Sequence, residues 1–248
     1  MTSTWRLGDL EFVAAWEAMG EDLLPQPLFY RSRTESYEDA QREQRQALAD
    51  YHARADERLA AALRAIARPD LKVEVSAENF SDLDDPKGPV RLLAARLGDN
   101  GYVVTQLPGE TSRHSGGFTI SECGALELAG VAVRGLPLVG AGRKPEIVLP
   151  SDGVDHHPAV RARAAGFRQA PVTHVGFIDV VQGSSAFGPR GITQRRIRWR
   201  DLVGDGRYVI TGNPAIAVGA NTSAMVAAVN NAIAHVVSAI RDERYGSD

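Results

Sequence analysis

Two stretches decide the reading of this chain: Asp99-Asn100-Gly101-Tyr102-Val103-Val104-Thr105 and, far downstream, Asp205-Gly206-Arg207-Tyr208-Val209-Ile210-Thr211. Each tyrosine and the three residues after it align without a gap. Asn and Gly accept positive φ, so Asp99-Asn100-Gly101 predicts a hairpin turn between strands over 90–97 and 102–107. Gly204-Asp205-Gly206 predicts another between strands over 195–202 and 207–211. Working outward, each hairpin is followed by a further strand and then a helix: 118–121 and about 122–133 in the first case, 215–219 and 221 to about 242 in the second. Shared element order behind shared letters points to an internal duplication. The expected fold is α+β and pseudo-two-fold, a central, mostly antiparallel sheet flanked by helices. It would form one compact domain of two halves, 1–150 and 151–248.

Upstream, 5–7 reads as a short strand, and Asp9 as the N-cap of a helix over 10–19 with Gly20 taking the left-handed stop. Phe12, Trp16 and Met19 share one face at helical spacing and are expected in the core. A proline-punctuated link from Pro25 to Pro27 leads to an extended piece at 28–31. Residues 36–67 read as helical, with a bend near His52, until Pro69 ends the run. Leu71, Val73 and Val75 then alternate as one face of a strand over 71–76, and 146–149 reads as another short strand.

Composition narrows the function classes. The chain has 248 residues, 44% apolar and 24% charged, which is ordinary globular usage. A net charge of −3 supplies no concentrated basic face for nucleic acid. Cys123 is the only cysteine, so no internal disulfide forms, as expected in a reducing compartment. No basic region followed by an apolar run opens the chain, and a cytoplasmic location is expected. The apolar stretch 224–240 is broken by Asn230, Asn231, His235 and Ser238, so it reads as a buried or partner-facing helix and no membrane insertion is expected.

The chemistry-bearing residues do not assemble into a motif. Gly140-Ala141-Gly142-Arg143-Lys144 is followed by Pro145 and a strand, so no helix N-terminus faces an anion there. The stretch Gly183 to Gly188 lacks the helix that a nucleophile elbow needs, and reads as a hairpin loop. His156 and His157 are adjacent and point apart, while Cys123 and His174 have no partner at ligand spacing. Asp82, Asp84 and Asp85 read as a solvated turn. His114 and His235 lack a paired nucleophile. The expectation is a protein that grips another protein, with no catalytic site, cofactor or metal.

Several segments resemble the EspG family, the ESX secretion-associated proteins of actinobacterial type VII secretion. They are Leu7-Gly8-Asp9-Leu10-Glu11-Phe12 through Trp16-Glu17-Ala18-Met19-Gly20 to Leu24-Pro25-Gln26-Pro27-Leu28; Ala67-Arg68-Pro69-Asp70 into Val73-Glu74-Val75; Leu136-Pro137-Leu138 to Leu149-Pro150; and Trp199-Arg200-Asp201-Leu202 with Asp205-Gly206-Arg207-Tyr208. They occur in the family's order and span nearly the whole chain. The resemblance implies a cytosolic specificity chaperone that caps the apolar tip of the PPE helices in PE–PPE heterodimers and keeps them soluble and export-competent. It also implies a central sheet with helices around it and pseudo-two-fold symmetry. The client would be a PE–PPE heterodimer or a related WXG100-like helical hairpin, held by a monomer or a homodimer. The segment between Pro150 and Val172 is short and polar for the family, and the loop from Glu78 to Gly88 falls in a variable region.

A gripping surface needs apolar or amphipathic residues placed to cover an exposed helical tip. On the C-terminal helix, Met225, Val229, Ile233, Val236 and Ile240 form one stripe, and Val226, Asn230 and Val237 form a second beside it. On the strand, Arg196, Arg198 and Arg200 alternate with Ile197 and Trp199. Core and partner-facing readings are both open for these stripes. The candidate contact set is Arg196, Arg198, Trp199, Val226, Asn230 and Val237. Two alternatives stand beside it: an enzyme with an unrecognised site around His156, His157 and Ser184, and a homo-oligomeric scaffold joined through the C-terminal helix.

Overall fold

The computed structural model describes residues 3–150 and 157–245, and places both tyrosine-bearing stretches in the second strand of a hairpin. The strands are β1 (Thr4–Leu7), β2 (Leu71–Asn79), β3 (Val90–Leu97), β4 (Asn100–Pro108), β5 (Ser115–Gly124), β6 (Ile147–Leu149), β7 (Val172–Gln182), β8 (Gln194–Leu202), β9 (Gly206–Thr211) and β10 (Ala215–Gly219). The helices are α1 (Asp9–Ala18), α2 (Tyr37–Arg54), α3 (Glu57–Ala67), α4 (Leu128–Arg134), α5 (Pro158–Gln169) and α6 (Thr222–Tyr245). All ten strands form one antiparallel sheet in the order β1-β5-β4-β3-β2-β7-β8-β9-β10-β6.

That order reads the same from either edge. β2 and β7 pair from Leu71↔Gln182 to Asn79↔His174, with Val75↔Ile178 at the middle. A half-turn about this pair exchanges β1 with β6, β3 with β8, β4 with β9 and β5 with β10. The register agrees residue by residue. Tyr102 faces Ala95, which faces Lys72. Tyr208 faces Arg200, which faces Val175. Lys72 and Val175 stand at the same distance along their strands from the middle pair. Leu93 and Arg198 are therefore equivalent positions, as are Ala95 and Arg200.

Helices cover the two faces unequally. On the back, α4 and α6 lie over Leu71, Val73, Val75, Leu92, Ala94, Ile178, Val180, Ile197 and Trp199. On the front, α1, α2 and α3 cover Leu93, Ala95, Tyr102, Val104, Phe118 and Ile120. The single helix α5 covers the far end, at Ile147, Leu149, Tyr208 and Ala217. Each fully buried aliphatic or aromatic side chain contributes roughly 1.5–3 kcal/mol, so these three clusters hold the layers together. On the back, Asp201 (0% exposed) takes two hydrogen bonds from Arg207 (4% exposed), from Nε at 2.7 Å and Nη2 at 2.8 Å. The Arg207 guanidinium also lies 4.4 Å from the Trp199 ring centroid.

Several local expectations shift. The β3–β4 turn is Gly98-Asp99, since Leu97 already pairs with Asn100 and Gly98 supplies the positive φ (+59°) at the first turn position. Gly101 is a strand residue instead, where a Cβ would come within 2.9 Å of Cys123 Sγ. In the second hairpin the loop is Val203-Gly204-Asp205, with Gly204 at φ +68° and Gly206 paired to Leu202. Helix α4 begins only at Leu128, because 122–124 stay in the ladder opposite β4. Gly8, not Asp9, caps α1, its N–H donating to Glu11 Oε2 at 3.0 Å. The break between α2 and α3 falls at Ala55-Asp56, where Asp56 Oδ1 accepts the Leu59 N–H at 2.7 Å. β7 and α5 are elements that the sequence reading does not yield.

Candidate partner-binding surface

The half-turn that relates the sheet's two ends does not relate its front helices. In the N-terminal half Leu93 is buried under the α1–α3 layer. Its equivalent, Arg198, is exposed, because α5 packs mainly on the outer strands β9, β10 and β6 and meets β8 only near its end, at Arg200 and Leu202. The front of β2, β7 and β8 is thus left open between the two helical layers, and the sequence suits that exposure. Where the covered half has Leu93 and Ala95, the open half has Arg198 and Arg200.

Cross-strand register arranges this surface in rows. Glu74, Asp179 and Arg196 stand side by side across β2, β7 and β8, and Ser76, Phe177 and Arg198 form the next row. Arg196 grips Asp179 with two parallel hydrogen bonds, Nε to Oδ1 at 2.8 Å and Nη2 to Oδ2 at 2.9 Å, and Gln194 Nε2 adds a third at 2.9 Å. Asp179, 6% exposed, is thereby paired and saturated. The same bonds raise the Arg196 pKa above its ordinary value. Arg196 also lies over the Phe177 ring at 4.9 Å, leaving that ring 37% exposed. Lys72 Nζ contacts Glu74 Oε1 at 2.7 Å. Arg200 donates from Nη1 to the Phe167 carbonyl at 3.1 Å and covers that ring, and burial lowers its pKa. Arg198 has no carboxylate partner among the described residues.

The candidate contact residues divide between the two sides of the sheet. Arg196 and Arg198 are on the open front. Trp199 points to the back, where it is 1% exposed inside the core against Gly176 and Arg207, so its side chain does not meet solvent. Val226 and Val237 lie half-buried along α6, also at the back, and Asn230 is exposed there. One compact partner segment cannot touch both sets. Phe177, Asp179, Lys72 and Glu74 complete the front surface. Phe177 and Asp179 are missed from sequence because β7 carries apolar residues on both faces together with Gly176 and His174, and Lys72 and Glu74 because nothing local tells that their side of β2 is left uncovered.

Helix α6 is long and apolar enough to cross a membrane by length and composition alone, with a mean hydropathy of 1.5. It is docked on the sheet, however, with Met225, Val229 and Val236 each 0% exposed.

The remaining polar candidates have local partners. His157 Nδ1 accepts the Ala159 N–H at 3.3 Å as the N-cap of α5, and His156 lies outside the described residues. Ser184 sits in the β7–β8 loop, where its carbonyl accepts from Gln182 Nε2 at 2.7 Å. His114 Nδ1 meets Thr111 Oγ1 at 2.8 Å. His235 lies against Arg195. Asp82 Oδ1 accepts the N–H groups of Asp84 and Asp85 at 3.1 and 3.2 Å, closing a turn on itself. In the Gly140 to Lys144 loop, the Gly142 N–H donates to the Arg207 carbonyl at 2.8 Å. Burial pushes the Cys123 thiol up to about 11, which keeps it protonated. Among the described residues no group of three or more His, Cys, Asp or Glu side chains could hold a metal ion.

Fold and surface together define a class of protein built on a pseudo-two-fold antiparallel sheet with one open quarter. More particularly, the chain belongs to the EspG family, whose profile matches residues 9–239. No curated protein sequence matches it significantly. Among solved structures it is similar to the Mycobacterium tuberculosis type VII secretion system chaperone EspG5, determined in complex with a PE25–PPE41 dimer. The TM-score is 0.63 at 14% identity, covering 93% of this chain and 96% of that one.

Proposed function

We propose that this protein is a cytosolic specificity chaperone of type VII secretion that binds a PE–PPE-type helical heterodimer and keeps it soluble for export. Its work is binding and not catalysis. The observation that carries the reading is the uncovered front of β2, β7 and β8 in a chain of the EspG family. The similar EspG5 is a type VII secretion chaperone in complex with a PE25–PPE41 dimer, and its fold covers nearly the whole of this chain.

Physically, an exposed apolar helical tip aggregates unless its patch is covered. The open front offers an aromatic face at Phe177, aliphatic arginine stems and guanidinium donors around them. A contact of about 800 Å² per partner is normal for a stable complex. We assign the client contact to Arg196 and Arg198 with Phe177. Asn230 and the edges of Val226 and Val237 would form a separate contact on the opposite side. We also read the two halves as copies of one unit. The second copy would begin before β6, because that strand pairs with β10.

Co-expression with a PE–PPE-type pair from the same genome tests the reading. The expected result is a soluble three-chain complex that co-elutes in gel filtration, with a mass by light scattering equal to one copy of each chain. Clients that precipitate, or elute apart from this protein, would overturn it.

A further inference from the structure

The open front is not electrically even, and the imbalance indicates what should sit on it. Lys72 is matched by Glu74, Arg196 by Asp179, and Arg91 by Glu78 at 3.2 Å. Arg198 is exposed and has no matching carboxylate among the described residues. It stands between Arg196 and Arg200 on the same side of β8, each about 7 Å away along the strand. Its row neighbours are Phe177 on β7 and Ile210 on β9. The equivalent position in the covered half is Leu93, which is 0% exposed.

Arg198 is therefore an exposed cation without a carboxylate, beside an exposed aromatic ring; Arg200, the other cation of β8 that lacks one on this side, is turned onto the Phe167 carbonyl and ring of α5. Covering Arg198 with a purely apolar segment would strand a desolvated charge, at a cost that such a segment could not recover. A single carbonyl would satisfy one donor and leave the charge uncompensated. A carboxylate matches the guanidinium fork in both geometry and charge.

We infer that the client segment seated on this front presents an acidic side chain to Arg198 and an apolar side chain to Phe177, so that Arg198 selects among clients by charge. The inference rests on the chaperone reading above. Arg196 does not share the role, since its charge is already matched by Asp179 through two parallel hydrogen bonds.

The test uses the full chain and a PE–PPE-type pair from the same genome, with affinity measured at low and moderate salt. Four forms are compared: the parent, Arg198→Gln, Arg198→Glu, and Arg190→Glu as a charge reversal away from this surface. Unchanged melting of each variant shows that the fold is intact. Arg198→Gln should weaken binding about tenfold and flatten its salt dependence, and Arg198→Glu should weaken it further. Arg190→Glu should stay within about twofold of the parent, as a charge outside the contact does. Changing one client Asp or Glu to Lys should restore binding to Arg198→Glu. If the parent binds and Arg198→Glu binds equally well, or if Arg190→Glu weakens binding as much, the inference falls and the chaperone reading stands. If the parent does not bind the pair, both fall.

Discussion

Asp201 and Arg207 are both buried at the back of the sheet, and each satisfies the other's charge at 2.7 and 2.8 Å. Removing one partner leaves the other charged, dry and unpaired. Asp201→Asn is therefore expected to cost roughly 3–5 kcal/mol in a denaturant titration. His174 stands beside this pair, its Nδ1 3.8 Å from Asp201 Oδ2. Burial lowers its pKa below 6.5, against the pull of Asp201 and with a smaller push from Arg207. The unfolded chain then takes up the proton first, so stability from neutral His174 is full above pH 6.5 and is lost as pH falls through and below that value. Denaturation midpoints should drop between pH 7.5 and 5, with a shallower slope in His174→Gln. An unchanged slope would contradict the assignment. These roles were half legible. The alternation of arginines with Ile197 and Trp199 marks two sides of a strand, but a side chain's side does not tell whether a helix covers it. Trp199 is inside for that reason, because α6 lies over it, and Arg198 is outside because α5 stops short.

At the scale of elements, α6 divides into an anchored side and a free one. Met225, Val229 and Val236 are fully buried, while Ala227 and Ala234 are exposed. Met225→Ala should destabilise the protein by about 2–5 kcal/mol, whereas Ala234→Ser should stay within about 0.5 kcal/mol, both read by urea unfolding. The far end of α6 holds the β7–β8 loop. Glu243 accepts from Gln182 Nε2 at 3.1 Å, Ser185 Oγ at 3.0 Å and the Ala186 N–H at 3.2 Å. Glu243→Ala should expose 183–193 to limited proteolysis with little change in melting temperature. If cleavage there is unaltered, the carboxylate does not secure the loop. Strands with clean period-two patterns, such as Leu71-Lys72-Val73-Glu74-Val75, could be read directly. β7 could not, since its two sides face a dry core and an open surface while both carry Val, and Gly176 replaces a large side chain to admit the Trp199 indole.

For the whole molecule, the echo around Tyr102 and Tyr208 is the sequence trace of a symmetry that the sheet order states in full. The half-turn through Val75 and Ile178 could not be drawn without β7, which supplies one member of the central pair. What breaks the symmetry is a difference in helical cover: three helices sit over the front of one half and one sits over the edge of the other. The exposed arginines of β8 follow from that difference, and so does the open surface. A photoreactive phenylalanine analogue placed in turn at Phe177, on the front, and at Asn230, on the back, tests the central claim most directly in the presence of the PE–PPE-type pair. A client crosslink is expected from position 177, whether or not position 230 also gives one. Crosslinking from 230 alone would place the grip on the wrong side of the sheet and contradict it.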